Sequence, residues 1–264
     1  MERDATSRTD PPDDDLPSPA RAFDFLLGGD ANTLVDREFI AAARVVLPDM
    51  APIARDVRTF SRAVVGHLAA SGIDQFLEIG SGLPTVRPVH EVAPGARVVY
   101  VDVDDRTVEH ARRLLPDRPG LVALQGDVRD VPAILADPAF RRTIDLARPL
   151  GVLLIGLLHY VEEAEARRAL RELHAAVVPG SVVAVNAITD VGRPDITDWV
   201  AYSHQGLSYP PRLRPLEELA QWLADWEILP PGWVSAPHWV PDDAAVPGPA
   251  ETRSAQWGVV ARRV

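Results

Sequence analysis

The run Phe76-Leu77-Glu78-Ile79-Gly80-Ser81-Gly82-Leu83-Pro84-Thr85 carries the densest chemical signal in the sequence. With Gln75 ahead of it, it reads as a strand over Gln75–Ile79 that carries an acid, a Gly-x-Gly turn, and a proline suited to the first turn of a helix. Glycines at such a turn let a ligand approach the backbone, and a helix start would add free N–H groups. An acid near the end of a buried strand is costly unless it is hydrogen-bonded, so Glu78 is a candidate ligand group, with Gly80, Ser81 and Gly82 forming the turn. Asp102 closes a second run, Arg97–Val103, 20 residues after Gly82. An acid there can accept both hydroxyls of a ribose, with Val103 beside it. A third run, Leu121–Gln125, leads into Gly126-Asp127-Val128. Asp127 can accept from an adenine exocyclic amine or cap the following helix; Asp130, ahead of Val131-Pro132, suits that capping better. Asp104 and Asp105 read as caps of the helix marked by Val108, Ala111 and Leu115, with Glu109 and Arg113 as an i,i+4 pair.

These groups converge only if the strands lie side by side. Unbroken apolar runs suit strands covered on both faces, as in a parallel sheet. The three runs above are joined by Leu150–Leu158 and Ser181–Ala187, with helical periodicity between them, as at Ala166, Leu170, Leu173 and Val177. Alternating strands and helices predict right-handed βαβ units in an open α/β sheet. All three acid-bearing turns then fall on the carboxyl edge, where such sheets bind ligands. Leu216–Trp226 reads as a helix, and Glu227–Leu229 with Gln256–Ala261 as an antiparallel edge pair, separated by the Pro- and Trp-containing stretch 230–254. Ahead of the sheet, Ala20–Gly72 is helical in three pieces: one closed by Gly28-Gly29, one over Leu34–Leu47 and one over Ile53–Ala70. Residues 1–17, with six acids, two arginines and three prolines, predict a disordered acidic tail. Residues 18–264 are expected to form one domain, with 18–72 as a helical cap on a core spanning 73–264.

Other residues are weaker candidates. Gly156-Leu157 end the fourth run and would border the same edge. His159 could serve as a general base there or merely bond its own loop. Tyr160, Tyr202 and His204, with Trp199 and Tyr209, lie where such folds build a substrate wall or simply pack aromatics under a loop. Arg21 and Asp24, i,i+3 neighbours on the first helix, could face a ligand from a lid or form a surface ion pair. The seven histidines show no metal-binding spacing.

Composition removes whole classes of chemistry. The chain has 264 residues and no cysteine, so thiol nucleophiles and disulfides are excluded. Its 27 basic residues are all arginine, which excludes Schiff-base and phosphate-loop lysines. The net charge of −11 disfavours non-specific nucleic-acid binding. No apolar run approaches the ~20 residues needed to span a bilayer, and the N-terminus has no apolar signal core. A soluble, cytoplasmic protein without membrane or nucleic-acid partners is expected.

Nicotinamide dinucleotides and S-adenosylmethionine both fit three acids at successive strand ends. The dinucleotide fingerprint wants a third glycine near Thr85, which this chain lacks. The Glu-x-Gly-x-Gly form, followed by Asp102 and Asp127, resembles the class I S-adenosylmethionine methyltransferases. A narrower resemblance is carried by Ser18–Gly29 through Asn32, Phe76–Thr85, Val89–Ala93, Arg97–Asp102 and Leu157–Val161. Together these look like the S-adenosyl methyltransferase family common in actinobacteria, formerly a domain of unknown function. The chain departs from that pattern at Phe23, Asp30 and Thr33, where the family commonly has tyrosine, lysine and an aromatic. The resemblance implies a Rossmann-like, mostly parallel seven-stranded sheet with an antiparallel last strand. It also implies S-adenosyl-L-methionine as cofactor, S-adenosyl-L-homocysteine as product and a small-molecule methyl acceptor that the resemblance does not name. The rival readings are a non-catalytic cofactor-binding regulator and a dinucleotide-dependent oxidoreductase.

Overall fold

The computed structural model describes residues 16–191, 193–241 and 255–264. The expected acidic tail lies outside them up to residue 15, as does the stretch 242–254. Among the described residues three helices come first: α1 (Pro19–Leu27), α2 (Leu34–Val46) and α3 (Met50–Ala70). The first half of the sheet follows, with β1 (Gln75–Ile79), α4 (Val89–Val92), β2 (Arg97–Asp102), α5 (Asp105–Leu114) and β3 (Leu121–Gln125). Next come α6 (Val131–Ala136), α7 (Pro138–Thr143), β4 (Gly151–Leu154), α8 (Glu163–Ala176) and β5 (Val182–Ile188). The last described elements are α9 (Asp195–Ser203), α10 (Leu216–Trp222), β6 (Glu227–Ile228), β7 (Val234–Ser235) and β8 (Gln256–Arg262).

The sheet runs β3-β2-β1-β4-β5-β8-β6, with β7 also on β8. The first five strands are mutually parallel, whereas β8 runs antiparallel to β5. Strand order reverses between β1 and β4, and a crevice opens at such a switch point beyond the carboxyl ends. Alternation along β1 decides what enters each layer. Phe76 packs with Phe60, Val64 and Leu68 of α3, while Leu77 and Ile79 join Leu170 and Leu173 of α8 on the other face. Glu78 shares the parity of Phe76 and so belongs to the α3 face. That helix lies directly on β8: a Cβ at Gly258 would stand 2.7 Å from the Phe60 ring.

The helical cap forms for local reasons. Gly28, at φ +86°, takes the left-handed position that ends α1. Thr33 and Asp36 cap the start of α2 reciprocally. A third apolar cluster joins Ile40, Leu47, Met50 and Ile53 of the cap to Ile188 and Ile196, so the cap rests on the end of β5 and on α9.

Several expectations need correction. Among the described residues the sheet has eight strands rather than seven, because the outer strand is two short pieces, β6 and β7, both on β8. Pro230 and Pro231, which lie between them, have no N–H for a ladder. β4 stops at Leu154 instead of reaching Leu158, since Gly156 turns the chain at φ +70°. No helix starts at Pro84. Thr85 N–H bonds back to the Leu83 carbonyl, Arg87 sits at φ +47° before Pro88, and only α4 follows. The segment around Trp199 is a helix, α9, and α10 ends four residues early. Arg113 bonds the Glu109 carbonyl rather than its carboxylate. No helix among the described residues is long and apolar enough to cross a membrane.

Candidate functional site

The glycine turn after β1 is pinned to the end of β2. The N–H groups of Gly80 and Ser81 both donate to the Val101 carbonyl, at 2.8 and 3.0 Å. Gly82 N–H donates to Asp102 Oδ2 at 2.9 Å, and Asp104 N–H to Oδ1 at 3.1 Å. Gly80 and Gly82 have φ of +70° and +57°, where a side chain is strained. A Cβ at Gly80 would also lie 2.7 Å from Leu157 Cδ1. The turn therefore keeps open a hollow that any larger residue would fill.

That hollow is part of a cavity of about 470 Å³, lined on one side by Glu78–Gly82, Asp102, Val103 and Gly126–Val128. Its size lies within the usual range for small-molecule sites. The three acids differ in how far they are occupied. Glu78 is 6% exposed, and no hydrogen bond to its carboxylate occurs among the described residues. Burial pushes it from an ordinary 4.5 up to about 7, against the pull of the nearby Arg58 guanidinium. Burial likewise raises Asp102, to about 6, opposed by the N–H groups of Asp104 and Gly82. Asp127 accepts from the Arg129 N–H at 2.8 Å and from the Arg129 guanidinium, also at 2.8 Å. It thus caps the 3-10 turn Val128–Asp130 as well as facing the cavity, while Asp130 caps α6.

The cap supplies the opposite wall. Asp24 accepts from Thr85 Oγ1 at 2.6 Å and from Asn32 Nδ2 at 3.0 Å, so it ties the first helix to the glycine loop. Asp36 gathers the Ser18 N–H, the Arg21 guanidinium and both the N–H and hydroxyl of Thr33. Burial alone would raise its pKa, but these bonds hold it below the ordinary carboxylate value. Phe23, Phe39, Ile40, Met50, Ile53 and Trp199 make the cavity apolar on this side.

The loop after β4 closes one end. Gly156 N–H donates to Asn186 Oδ1, whose amide in turn donates to Gln256 Oε1, both at 2.5 Å. Gly156, Leu157, His159 and Tyr160 follow along the wall. Burial, and then the Arg214 charge, drive His159 down to about 3, so its imidazole is neutral at pH 7. Burial also lifts the Tyr160 phenol above its usual range.

Most of the predicted residues thus meet around one hollow, but three do not line it. Arg21 turns away to Asp36, 2.7 Å distant. Tyr202 packs on Phe39, with ring centroids 5.5 Å apart. His204 meets the Pro211 carbonyl at 3.2 Å. Trp199 and Tyr209, expected on the same wall, do reach the cavity, and so does Arg58, which was not expected there. Nothing in the spacing singles out Arg58 among 27 arginines. No cluster of metal-ligating side chains occurs among the described residues.

Known proteins resemble this arrangement closely. The sequence model of a family described as S-adenosyl methyltransferase matches residues 5–264. A candidate methyltransferase from Thermobifida fusca YX is 35% identical and superposes with a TM-score of 0.86, over 94% of this chain and 96% of that one. A DUF574 family protein from Streptomyces avermitilis MA-4680 is 30% identical, with a TM-score of 0.85 over 94% and 98% of the two chains. An O-methyltransferase family 2 protein from Planctomyces limnophilus DSM 3776, solved with apigenin, shares 15% identity and a TM-score of 0.51 over 89% and 67%. That last likeness is one of fold alone. No curated protein matches the chain. With a family match spanning the sheet, the cap and the glycine turn, the chain belongs to the S-adenosyl methyltransferase family, Rossmann-like enzymes that draw on S-adenosylmethionine.

Proposed function

We propose that the chain moves the methyl group of S-adenosylmethionine onto a largely apolar small molecule held beneath the helical cap. One observation carries the reading: the glycine turn and three strand-end acids form one side of a cavity whose other side is apolar. The donor set suits the cofactor. Asp102 can accept from the ribose hydroxyls, Gly126–Val128 can border the adenine, and the open space at Gly80 admits the chain of atoms between ribose and amino acid. Glu78 offers a free carboxylate to a cation. Val103, Gly156 and Leu157 supply apolar contact around these groups.

When bound, the cofactor presents a methyl on a sulfonium, already activated for displacement. The protein's part is to hold the acceptor in line and exclude water, which contributes ~7–11 kcal/mol in well-aligned systems. His159 is a weak proton acceptor, because burial disfavours its charged form. The acceptor must then bring a lone pair free of its proton or lose that proton to solvent. Ile40, Met50, Ile53 and Trp199 favour an uncharged acceptor body, since a charge against them would lose its hydration.

Thermal melting tests the cofactor half. S-adenosylhomocysteine should raise the melting temperature of the wild type, by about 2.7 kcal/mol of stabilisation at a hundred times its Kd. NADH should not, and Asp102→Ala should largely remove the response. Equal responses of wild type and variant to S-adenosylhomocysteine would overturn the residue roles.

A further inference from the structure

His159 is 3% exposed and lines the cavity, yet its ring makes no hydrogen bond among the described residues, and Nδ1 is buried without a partner. Its carbonyl accepts from the Arg212 N–H at 2.7 Å, so the turn that carries it is fixed while the ring stays unengaged. Two other groups in the wall share this state. The Tyr160 hydroxyl has no hydrogen bond among the described residues, and its ring lies 4.3 Å from that of His159. Trp199 Nε1 is buried without a partner; all six indole N–H groups are unpartnered, but Trp199 alone of the six lines the cavity.

The place of this turn ties it to the reacting end of the site. Leu157 lies against the glycine loop, its Cδ1 2.7 Å from where a Gly80 Cβ would stand, and the 3-10 turn Leu158–Tyr160 follows directly. The stretch of cofactor between ribose and amino acid, which passes Gly80, holds the sulfonium. The wall just beyond Leu157 therefore faces the atom that receives the methyl.

The charge around that wall favours one sign. Arg214 turns its guanidinium onto the Val161 carbonyl at 2.8 Å, two residues on from His159, and Glu218 stands 3.6 Å from the same group. Burial and then the Arg214 charge keep the imidazole neutral, so it retains one N–H to donate. Burial likewise keeps the Tyr160 phenol protonated. The cavity acids on this side are engaged, Glu162 with Arg212 at 2.6 Å and Glu165 by the Glu162 N–H at 3.2 Å. What remains is an imidazole N–H, a phenol O–H and an indole N–H, with a cation behind the first. Fixed donors in a water-poor site stabilise negative charge where it develops. A protonated amine is opposed twice, since its charge meets Arg214 and its lone pair is occupied by the proton.

We propose that the methyl acceptor is an acidic hydroxyl, a phenol or enol on an apolar body, bound as its oxyanion to the His159 N–H with Tyr160 and Trp199 as further donors. The inference rests on the methyl-transfer reading above and names the chemical class of its acceptor. The hydroxyl proton leaves to solvent on binding. A lone pair of the oxygen then forms the O–C bond to the methyl, the C–S bond breaks, and its electron pair neutralises the sulfonium. His159 moves no proton; it holds the oxygen in line.

4-Nitrophenol reports this binding by colour, because only its phenolate is yellow. With S-adenosylhomocysteine saturating the protein in slightly acid buffer, wild type should deepen the yellow, since the bound dye ionises more readily than the free one. It should bind 4-nitrobenzylamine, a cation of similar size, more weakly. His159→Phe should lose the colour change and about tenfold to a hundredfold in affinity for the phenolate, the range for a hydrogen bond to a charged group. The same variant should keep its affinity for the ether 4-nitroanisole and for S-adenosylhomocysteine, which guards against misfolding. His159→Asn, which restores a donor, should recover part of the colour change. No colour change with wild type, preference for the amine, or equal weakening of phenol and ether in His159→Phe would overturn the proposal. Failure of wild type to bind S-adenosylhomocysteine would instead overturn the reading on which it rests.

Discussion

Replacing Glu78 with glutamine should make the ligand-free protein more stable at high pH, although it removes a group from the site. Burial in the empty site disfavours the ionised carboxylate, and its pKa moves from 4.5 to about 7. At about 1.4 kcal/mol for each tenfold change in proton affinity, that amounts to roughly 3 kcal/mol. The folded state binds the proton more tightly than the unfolded one. Glu78 therefore favours folding fully below about pH 4.5, and this contribution is lost as pH rises through about 7. A glutamine cannot ionise, so the variant should match wild type near pH 4.5 and exceed it by up to roughly 3 kcal/mol at pH 8. Urea denaturation of both proteins at half-unit steps of pH measures this, and only their difference matters. Asp102, raised to about 6, slopes the same way; His159, lowered to about 3, slopes the opposite way, its stabilisation present above 6.5 and lost on acidification. Both are common to the two proteins and cancel. A difference that stays within about 0.5 kcal/mol from pH 5 to pH 8 would show that burial does not raise the Glu78 pKa. The same variant should lose affinity for S-adenosylhomocysteine, so stability and binding should move in opposite directions.

Two further substitutions probe the turn and the cap. Gly80→Ala places a side chain at φ +70°, 2.7 Å from Leu157 Cδ1; it should cost about 1–2 kcal/mol for the left-handed backbone alone and abolish S-adenosylhomocysteine binding, as read by urea denaturation and calorimetry. Thr85→Val removes the 2.6 Å bond to Asp24 and leaves a buried carboxylate short of a partner. It should cost about 1–3 kcal/mol and speed amide exchange over residues 19–33 while leaving β1 and β4 protected.

What was legible in the sequence was what neighbouring residues decide among themselves. β1 and β3 form over the expected residues, Gln75–Ile79 and Leu121–Gln125, because strands covered on both faces leave an unbroken apolar run. The glycine turn and the acids at 78, 102 and 127 could be found because each sits at the end of such a run. Arg21 shows where this reasoning stops. Its neighbour Asp24 lies three residues away on the same helix, yet its partner is Asp36, fifteen residues on, because the cap folds back on itself. Arg58 was missed for the same reason. Its place in the wall depends on how α3 lies over the sheet, which no local spacing encodes. The early end of β4 turned on one glycine at φ +70° inside an otherwise apolar run.

The three strand-end acids form a graded set of acceptors, and the grading follows from the backbone that carries them. An ionised carboxylate has about four acceptor positions. Asp102 gives one on each oxygen to the turn it braces, leaving room for a ribose diol on the same side chain. Asp127 is more heavily used, with one oxygen on the Arg129 N–H and the other on its guanidinium. That arginine pairing is partly exposed, 43% for the Arg129 side chain, so water competes with it and it holds weakly. An adenine amine can displace it at little cost, or the base can be read by the backbone of Gly126–Val128 instead. Glu78 has all four positions open, in the most buried place of the three. An ionised carboxylate left without partners in that place would weaken the fold, whereas the partners of Asp102 and Asp127 offset their burial. Open acceptor capacity along this edge is therefore smallest at Asp127 and greatest at Glu78.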